Sequence, residues 1–218
     1  MVMVPAEVTA VRENDALESV RFDDLATLIL SRPPRLGPVR LVAVDGPSGA
    51  GKTVFADRLA ARLNAPVVHT DDLLDGWADQ FTFWTRLEAT VLEPLRTGRA
   101  AEYRRYRWDR AGFGGPPVRT EPAAAVVVEG VSSARRVIRP ELTLAVFVTA
   151  PPPLRWTRVL ARDGTADVAF PAYLERWRAA EDRHFAEDRT AEYAEVGVDG
   201  TADGSDVGYE QLWRRPPG

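Results

Sequence analysis

Apolar residues along the chain fall into short blocks separated by polar, glycine-rich and proline-rich punctuation, and the blocks have two different periods. Val39 to Asp45 (VRLVAVD), Pro66 to Thr70 (PVVHT), Ala124 to Glu129 (AAVVVE) and Leu142 to Thr149 (LTLAVFVT) are runs rich in β-branched residues, the pattern of strands buried on both faces. A fifth strand is expected around Glu195 to Asp199. Between the runs the spacing becomes helical: Thr53 to Asn64 carries Phe55, Leu59 and Leu63 on one side. Helices are also predicted within Trp77 to Arg96, over Pro153 to Arg162, and over roughly Pro171 to Arg189. Strands alternating with helices predict an α/β fold, a three-layer α/β/α sandwich around a mostly parallel five-stranded sheet.

The flanks read differently. A short helix is expected at Phe22 to Ser31, inside a weakly patterned arm spanning 1–38 that ends in Pro33, Pro34, Gly37 and Pro38. The folded domain is expected over 39–200, and 201–218 reads as a mostly flexible tail. At 218 residues the chain is long enough for one α/β domain with its own core.

Composition narrows the function. A formal charge of −4 argues against a partner that is nucleic acid or an anionic membrane. There is no cysteine, which removes thiolate metal sites and cysteine nucleophiles. No stretch approaches a membrane span, so a cytoplasmic protein is expected. Of the 28 basic residues one is lysine, Lys52, and the rest are arginine. Arginine does not replace lysine where a compact ammonium must reach between phosphates.

That lysine lies in Gly46-Pro47-Ser48-Gly49-Ala50-Gly51-Lys52-Thr53, which fits G-x-x-x-x-G-K-[ST] at each fixed position. A strand precedes it and an amphipathic helix follows. The glycines let successive N–H groups turn inward onto phosphate oxygens, and the helix N-terminus adds positive potential. Gly46, Ser48, Gly49, Ala50, Gly51, Lys52, Thr53 and Val54 are the expected nucleotide contacts. Lys52 would reach the β- and γ-phosphates, and the Thr53 hydroxyl would ligate Mg²⁺. ATP and Mg²⁺ are therefore the expected cofactors. The N-K-x-D element of small GTPases is absent, because the single lysine is already used. No L-S-G-G-Q element of transporter ATPases is present.

The second strand ends in His69-Thr70-Asp71-Asp72-Leu73, and ligands in such sheets sit at the carboxyl ends of strands. One aspartate suits acceptance of a hydroxyl proton during phosphoryl transfer, and the other suits orienting water around the metal. The plainer alternative for Asp72 is a helix cap. Arg155, Arg158 and Arg162 are spaced to share one helix face, either as a cationic lid or as a solvated surface. Glu102 to Arg110 interleaves aromatic and cationic residues, which suits stacking on a ring or packing over a sheet edge. Trp77, Phe81, Phe83 and Trp84 are either an acceptor wall or core. His69 and His184, lacking metal-ligand spacing, read as structural.

The loop at 46–53, T-D-D-L at 70–73, V-V-V-E-G at 126–130 and the arginines after the fourth strand resemble the uridine kinase-like family of phosphate-loop kinases. Pantothenate kinase and phosphoribulokinase are relatives of that family. The resemblance covers roughly 39–199. It implies a P-loop NTPase fold with a helical lid carrying Arg158 and Arg162, and Asp71 as general base. It also implies Glu129 near metal and acceptor, with Asp72 beside them, and Tyr106 with Arg105 on the acceptor side. Uridine kinases follow the tyrosine with Asp and His. Here Arg107 follows Tyr106, which allows an anionic acceptor.

The expected activity is transfer of the γ-phosphate to a hydroxyl of a small molecule, most simply a nucleoside. Two alternatives remain open. D-G-P-S-G-A-G-K-T at 45–53 also resembles cytidylate kinases, for which the arginines at 104, 105, 107 and 110 would form a phosphate cradle. A non-catalytic ATP-binding sensor is the other. The expected partner is a small phosphate acceptor, and self-association is compatible with the sequence.

Overall fold

The computed structural model describes residues 18–163, 170–201 and 207–216. In chain order these form β1 (Glu18–Arg21), α1 (Phe22–Ser31), β2 (Arg40–Asp45), α2 (Lys52–Leu63) and β3 (Val67–His69). Next come α3 (Trp84–Leu87), a π-helical segment (Glu88–Leu92) and α4 (Glu93–Arg96), end to end. The hairpin β4 (Ala101–Arg107) and β5 (Gly112–Thr120) follows, then β6 (Ala125–Glu129) and β7 (Leu142–Thr149). α5 (Pro152–Asp163), α6 (Phe170–Asp188), α7 (Thr190–Tyr193), β8 (Val196–Asp199) and β9 (Gly208–Arg214) complete the chain.

The expected five parallel strands are present, in the spatial order β8-β7-β2-β6-β3. They are buried because both faces are covered. In β2, Val42 and Val44 join α1 and α2 in one apolar layer, while Leu41 and Ala43 meet Leu73, Phe83, Leu87 and Leu92 in the other. Alternate residues of one strand thus feed two cores, which explains its unbroken apolar run. β2 is flanked by β6 and β7, so the crossovers leave in opposite directions and open a crevice at its carboxyl end. The phosphate loop sits there.

Three expectations about the flanks and connections need correction. The sheet has seven strands, because β9 pairs antiparallel with β8 and β1 antiparallel with β9. The arm and tail, read as loose, therefore supply an edge of the sheet and the expected helix α1; residues 1–17, 202–206 and 217–218 lie outside the described ones. Phe22, Phe55 and Tyr209 lock this edge to α2, with ring centroids 5.2–5.3 Å apart. Val131 to Ala134 forms turns after β6. Asp72 lies within a 3₁₀ turn, Thr70–Leu73, and makes no cap bond.

Candidate functional site

The loop after β2 is shaped by backbone contact. Gly46 has φ +139°, and a Cβ there would fall 2.0 Å from the Val148 carbonyl oxygen. Gly49 has φ +75°, and a Cβ would meet the Arg155 carbonyl oxygen at 2.4 Å. Only glycine fits either position. Gly51, at φ +99°, directs the chain into α2, whose first residue is Lys52. The Lys52 ammonium is buried and donates to the Pro47 carbonyl at 3.0 Å, spanning the mouth of the loop.

Asp45, at the end of β2, is fully buried and ties this loop to the one after β6. Its Oδ1 accepts the N–H groups of Gly46 (2.7 Å) and Ser132 (2.9 Å), and its Oδ2 accepts that of Ala134 (2.9 Å). Burial raises its pKa to about 6, against the opposing pull of these bonds and of Lys52. A second carboxylate, Glu181 of α6, is 1% exposed and holds the third residue of the loop. Both its oxygens lie 3.2 Å from the Ser48 amide; the Ser48 hydroxyl also donates to it, as does the Trp177 indole at 2.7 Å. Neither role is visible in the sequence, since no motif marks a carboxylate 133 residues from its partner.

At the carboxyl ends of β3 and β6, Glu129 accepts from the Thr53 hydroxyl at 3.2 Å and stands 2.7 Å from His69 Nδ1. The sequence reading of His69 as purely structural is therefore revised: it holds the Glu129 carboxylate, which in turn raises the imidazole pKa. His184 packs on Phe81 at 4.7 Å, and burial lowers its pKa. Asp72 is ion-paired with Arg105 at 2.9 Å. Asp71 is exposed on the cleft that it lines; desolvation by the cleft walls and then the neighbouring Glu129 raise its pKa, with Lys52 and Arg162 opposing.

Two cavities flank the loop. One, of about 430 Å³, is lined by Gly51, Val54, Arg58, Arg158, Asp199 and Gly200, with Tyr209 and Glu210 of β9 at its outer wall. Arg158 spans it, donating to the carbonyls of Gly200 at 2.6 Å and Thr201 at 3.0 Å. The other, of about 610 Å³, has Asp71, Arg162 and Asp163 among apolar walls that include Trp77, Trp108 and Trp177. Arg162 forks onto Asp163 at 2.8 and 2.6 Å. The arginines expected to act together thus divide between the cavities, and Arg155 turns back to the Ala150 carbonyl at 3.0 Å.

Of the expected acceptor residues, Asp71 lines this second cavity, and Asp72, Arg105 and Glu129 stand behind it. Tyr106 is buried, edge-on to Trp108 at 5.0 Å and to Phe113 at 5.4 Å, so it supports Trp108 rather than facing the cavity. Trp77 is on the cavity, whereas Phe83 is core and Trp84 carries the Arg135 guanidinium at 4.5 Å.

These donors fit a nucleoside triphosphate and its magnesium ion. The N–H groups of Gly46, Ser48 and Ala50 are taken by Asp45, Glu181 and the Pro47 carbonyl, which leaves the cradle to those of Gly49 and of Gly51 to Thr53, and the Thr53 hydroxyl adjoins a carboxylate. Among the described residues no cluster of three or more His, Asp or Glu side chains forms a complete metal cage. Magnesium needs none, since phosphates and water supply most of its ligands.

No family model matches the chain. A segment of 121 residues, half of the chain, is 33% identical to the inorganic pyrophosphatase TTM2 of Arabidopsis thaliana, of which it spans 18%. Among solved structures, a possible uridine kinase from Bacillus stearothermophilus superposes with a TM-score of 0.58 and 19% identity, over 81% of this chain and 96% of that one. A candidate fructose transport system kinase from Silicibacter sp. TM1040 gives 0.56 and 19%, over 80% and 95%. The fold is that of the phosphate-loop NTPases. Within them, its solved neighbours are uridine kinase-like and related phosphate-loop kinases, as the sequence motifs suggested. Among the described residues no helix is long and apolar enough to cross a membrane.

Proposed function

We propose that the protein is an ATP-dependent phosphotransferase that moves the γ-phosphate to a hydroxyl of a small molecule, with a nucleoside as the simplest acceptor. The observation that carries this reading is Asp71, a carboxylate open to a second cavity beside the phosphate loop. A non-catalytic sensor has no need of a carboxylate in such a space, and the apolar walls around it favour an organic acceptor over water.

In this reading ATP lies with its base in the cavity at Val54 and Arg158 and its phosphates along Gly46 to Thr53. Thr53 and Glu129, with Asp72 behind them, would hold a magnesium ion, which would supply neutralisation of phosphate charge. The acceptor oxygen attacks the γ-phosphorus, its proton passes to Asp71, and the bond from that phosphorus to the β-phosphate oxygen breaks to release ADP. Lys52 and Arg162 offset the charge that builds on the migrating group. A nucleotide acceptor is disfavoured, because Arg105 and Arg162 are both engaged by carboxylates.

The test is ADP formation from ATP across nucleosides, nucleotides, pantothenate and sugars, for the native chain and for Asp71→Asn. The expected outcome is acceptor-stimulated turnover that falls by about 10²–10⁴-fold in the variant, with ATP affinity kept. Unchanged turnover would remove Asp71 as the base. Phosphate released from pyrophosphate without any acceptor would favour the activity that the plant relative is named for.

A further inference from the structure

We infer that Trp77, Trp108 and Trp177 form the acceptor-selecting element, and that they select an uncharged alcohol built on a flat ring over any phosphorylated or carboxylated acceptor. This rests on the phosphotransfer reading and specifies its substrate class. The three indoles come from separate parts of the chain: the 3₁₀ turn after β3, the tip of the β4–β5 hairpin, and α6. They meet around one space, with Trp77 4.9 Å from Trp108 and 5.4 Å from Trp177 between ring centroids. The interplanar angles of 55° and 84° make them walls at an angle rather than one closed stack.

Trp77 and Trp108 are 37% and 42% exposed, a large apolar area for a surface to leave in water unless a ligand covers it. Leu74, Val159 and Leu174 extend the same wall. The Trp177 N–H is already committed to Glu181, so that indole offers the cavity its ring and not a donor. Tyr106 braces Trp108 from behind and is itself backed by Phe113.

Charge excludes the alternative acceptors. The lining holds two carboxylates, Asp71 and Asp163, and one guanidinium, that of Arg162. Arg162 is forked onto Asp163, which leaves Asp71 as the surplus charge. An acceptor phosphate or carboxylate would enter a space whose described lining holds two carboxylates and one guanidinium, itself paired with a carboxylate. In a largely apolar cavity that repulsion is weakly screened. An uncharged ring packs on the indoles, and its hydroxyl reaches Asp71 without such a cost.

The full chain is incubated with ATP·Mg²⁺ and a small-molecule extract, and compounds that gain one phosphate are identified by mass spectrometry. The parent compound is then assayed with the native chain, Trp108→Ala and Trp77→Ala. The expected result is an uncharged ring-bearing parent, whose KM rises about tenfold or more in each variant while the KM for ATP is unchanged. A parent that carries phosphate or carboxylate, that lacks a ring, or whose KM is indifferent to both variants overturns the inference and leaves phosphotransfer standing. If no compound gains phosphate although ATP binds, the phosphotransfer reading fails and this inference goes with it. Circular dichroism of the variants separates a lost wall from a lost fold.

Discussion

The Glu181 carboxylate of α6 grips the Ser48 amide from both of its oxygens, each at 3.2 Å, so a helix far along the chain holds the phosphate loop. At the next residue α5 does the same by contact, with the Arg155 backbone against Gly49. The loop is therefore set by two helices as well as by its own glycines. Trp177 belongs to both arrangements, donating to Glu181 and walling the acceptor cavity.

Removing this carboxylate should loosen the loop before it unfolds the domain. Glu181→Ala leaves the two Ser48 donors without their acceptor, while the Trp177 indole keeps the Ser48 hydroxyl at 3.1 Å; the cost is about 1–3 kcal/mol for each donor that stays buried and unpaired. ATP affinity measured by calorimetry is expected to fall in Glu181→Ala. Glu181→Gln, which keeps one acceptor oxygen, should lie between it and the native chain. Equal affinities in all three would mean that the loop is shaped without α6.

Lys52 makes a different demand. Its bond to the Pro47 carbonyl is local, within the loop itself. Lys52→Ala is expected to abolish measurable ATP binding while changing the denaturation midpoint little. A large loss of stability in this variant would show that the ammonium is structural.

Asp45 gives the fold a signature in pH. Its pKa is raised from 3.8 to about 6 in the folded chain. A raised folded pKa means that the folded state holds the proton more tightly. Its stabilising share is complete below about pH 4 and is lost as pH rises through about 6, a change of about 3 kcal/mol. Urea titrations between pH 4 and 7 should show this decline in the native chain. Asp45→Asn should lack it, whatever its absolute stability, and equal slopes in the two proteins would assign the pH dependence to other groups.

The edge strands can be tested through Tyr209, which is 5% exposed and sits between Phe22 and Phe55. Tyr209→Ala should destabilise the domain by roughly 3–5 kcal/mol, as other large aromatic truncations in cores do. Because Tyr209 also lines the cavity at Val54 and Arg158, ATP affinity should drop as well. A variant with native stability would show that β1 and β9 are dispensable.

The sequence by itself determined what is local. Gly46 to Thr53 are contiguous, and their conformation follows from glycine geometry and one strand-to-helix turn, so the phosphate loop was readable residue by residue. The five parallel strands were readable because strands covered on both faces must be apolar throughout. Asp71 was readable as a cavity residue because it follows a strand end, whereas the α5 arginines, expected on one face, divide between two cavities.

Tertiary structure alone decided the rest, since those contacts join residues far apart in the chain. β1 and β9 are short strands whose partners are set by register with each other and with β8, which no periodicity encodes. Asp45 and Glu181 became loop-holding carboxylates only when backbone N–H groups from other segments were brought to them. Trp77, Trp108 and Trp177 became one wall only when a turn, a hairpin and a helix met beside the phosphate loop. Periodicity specifies which face of an element is buried, and the packing of elements specifies what that face meets.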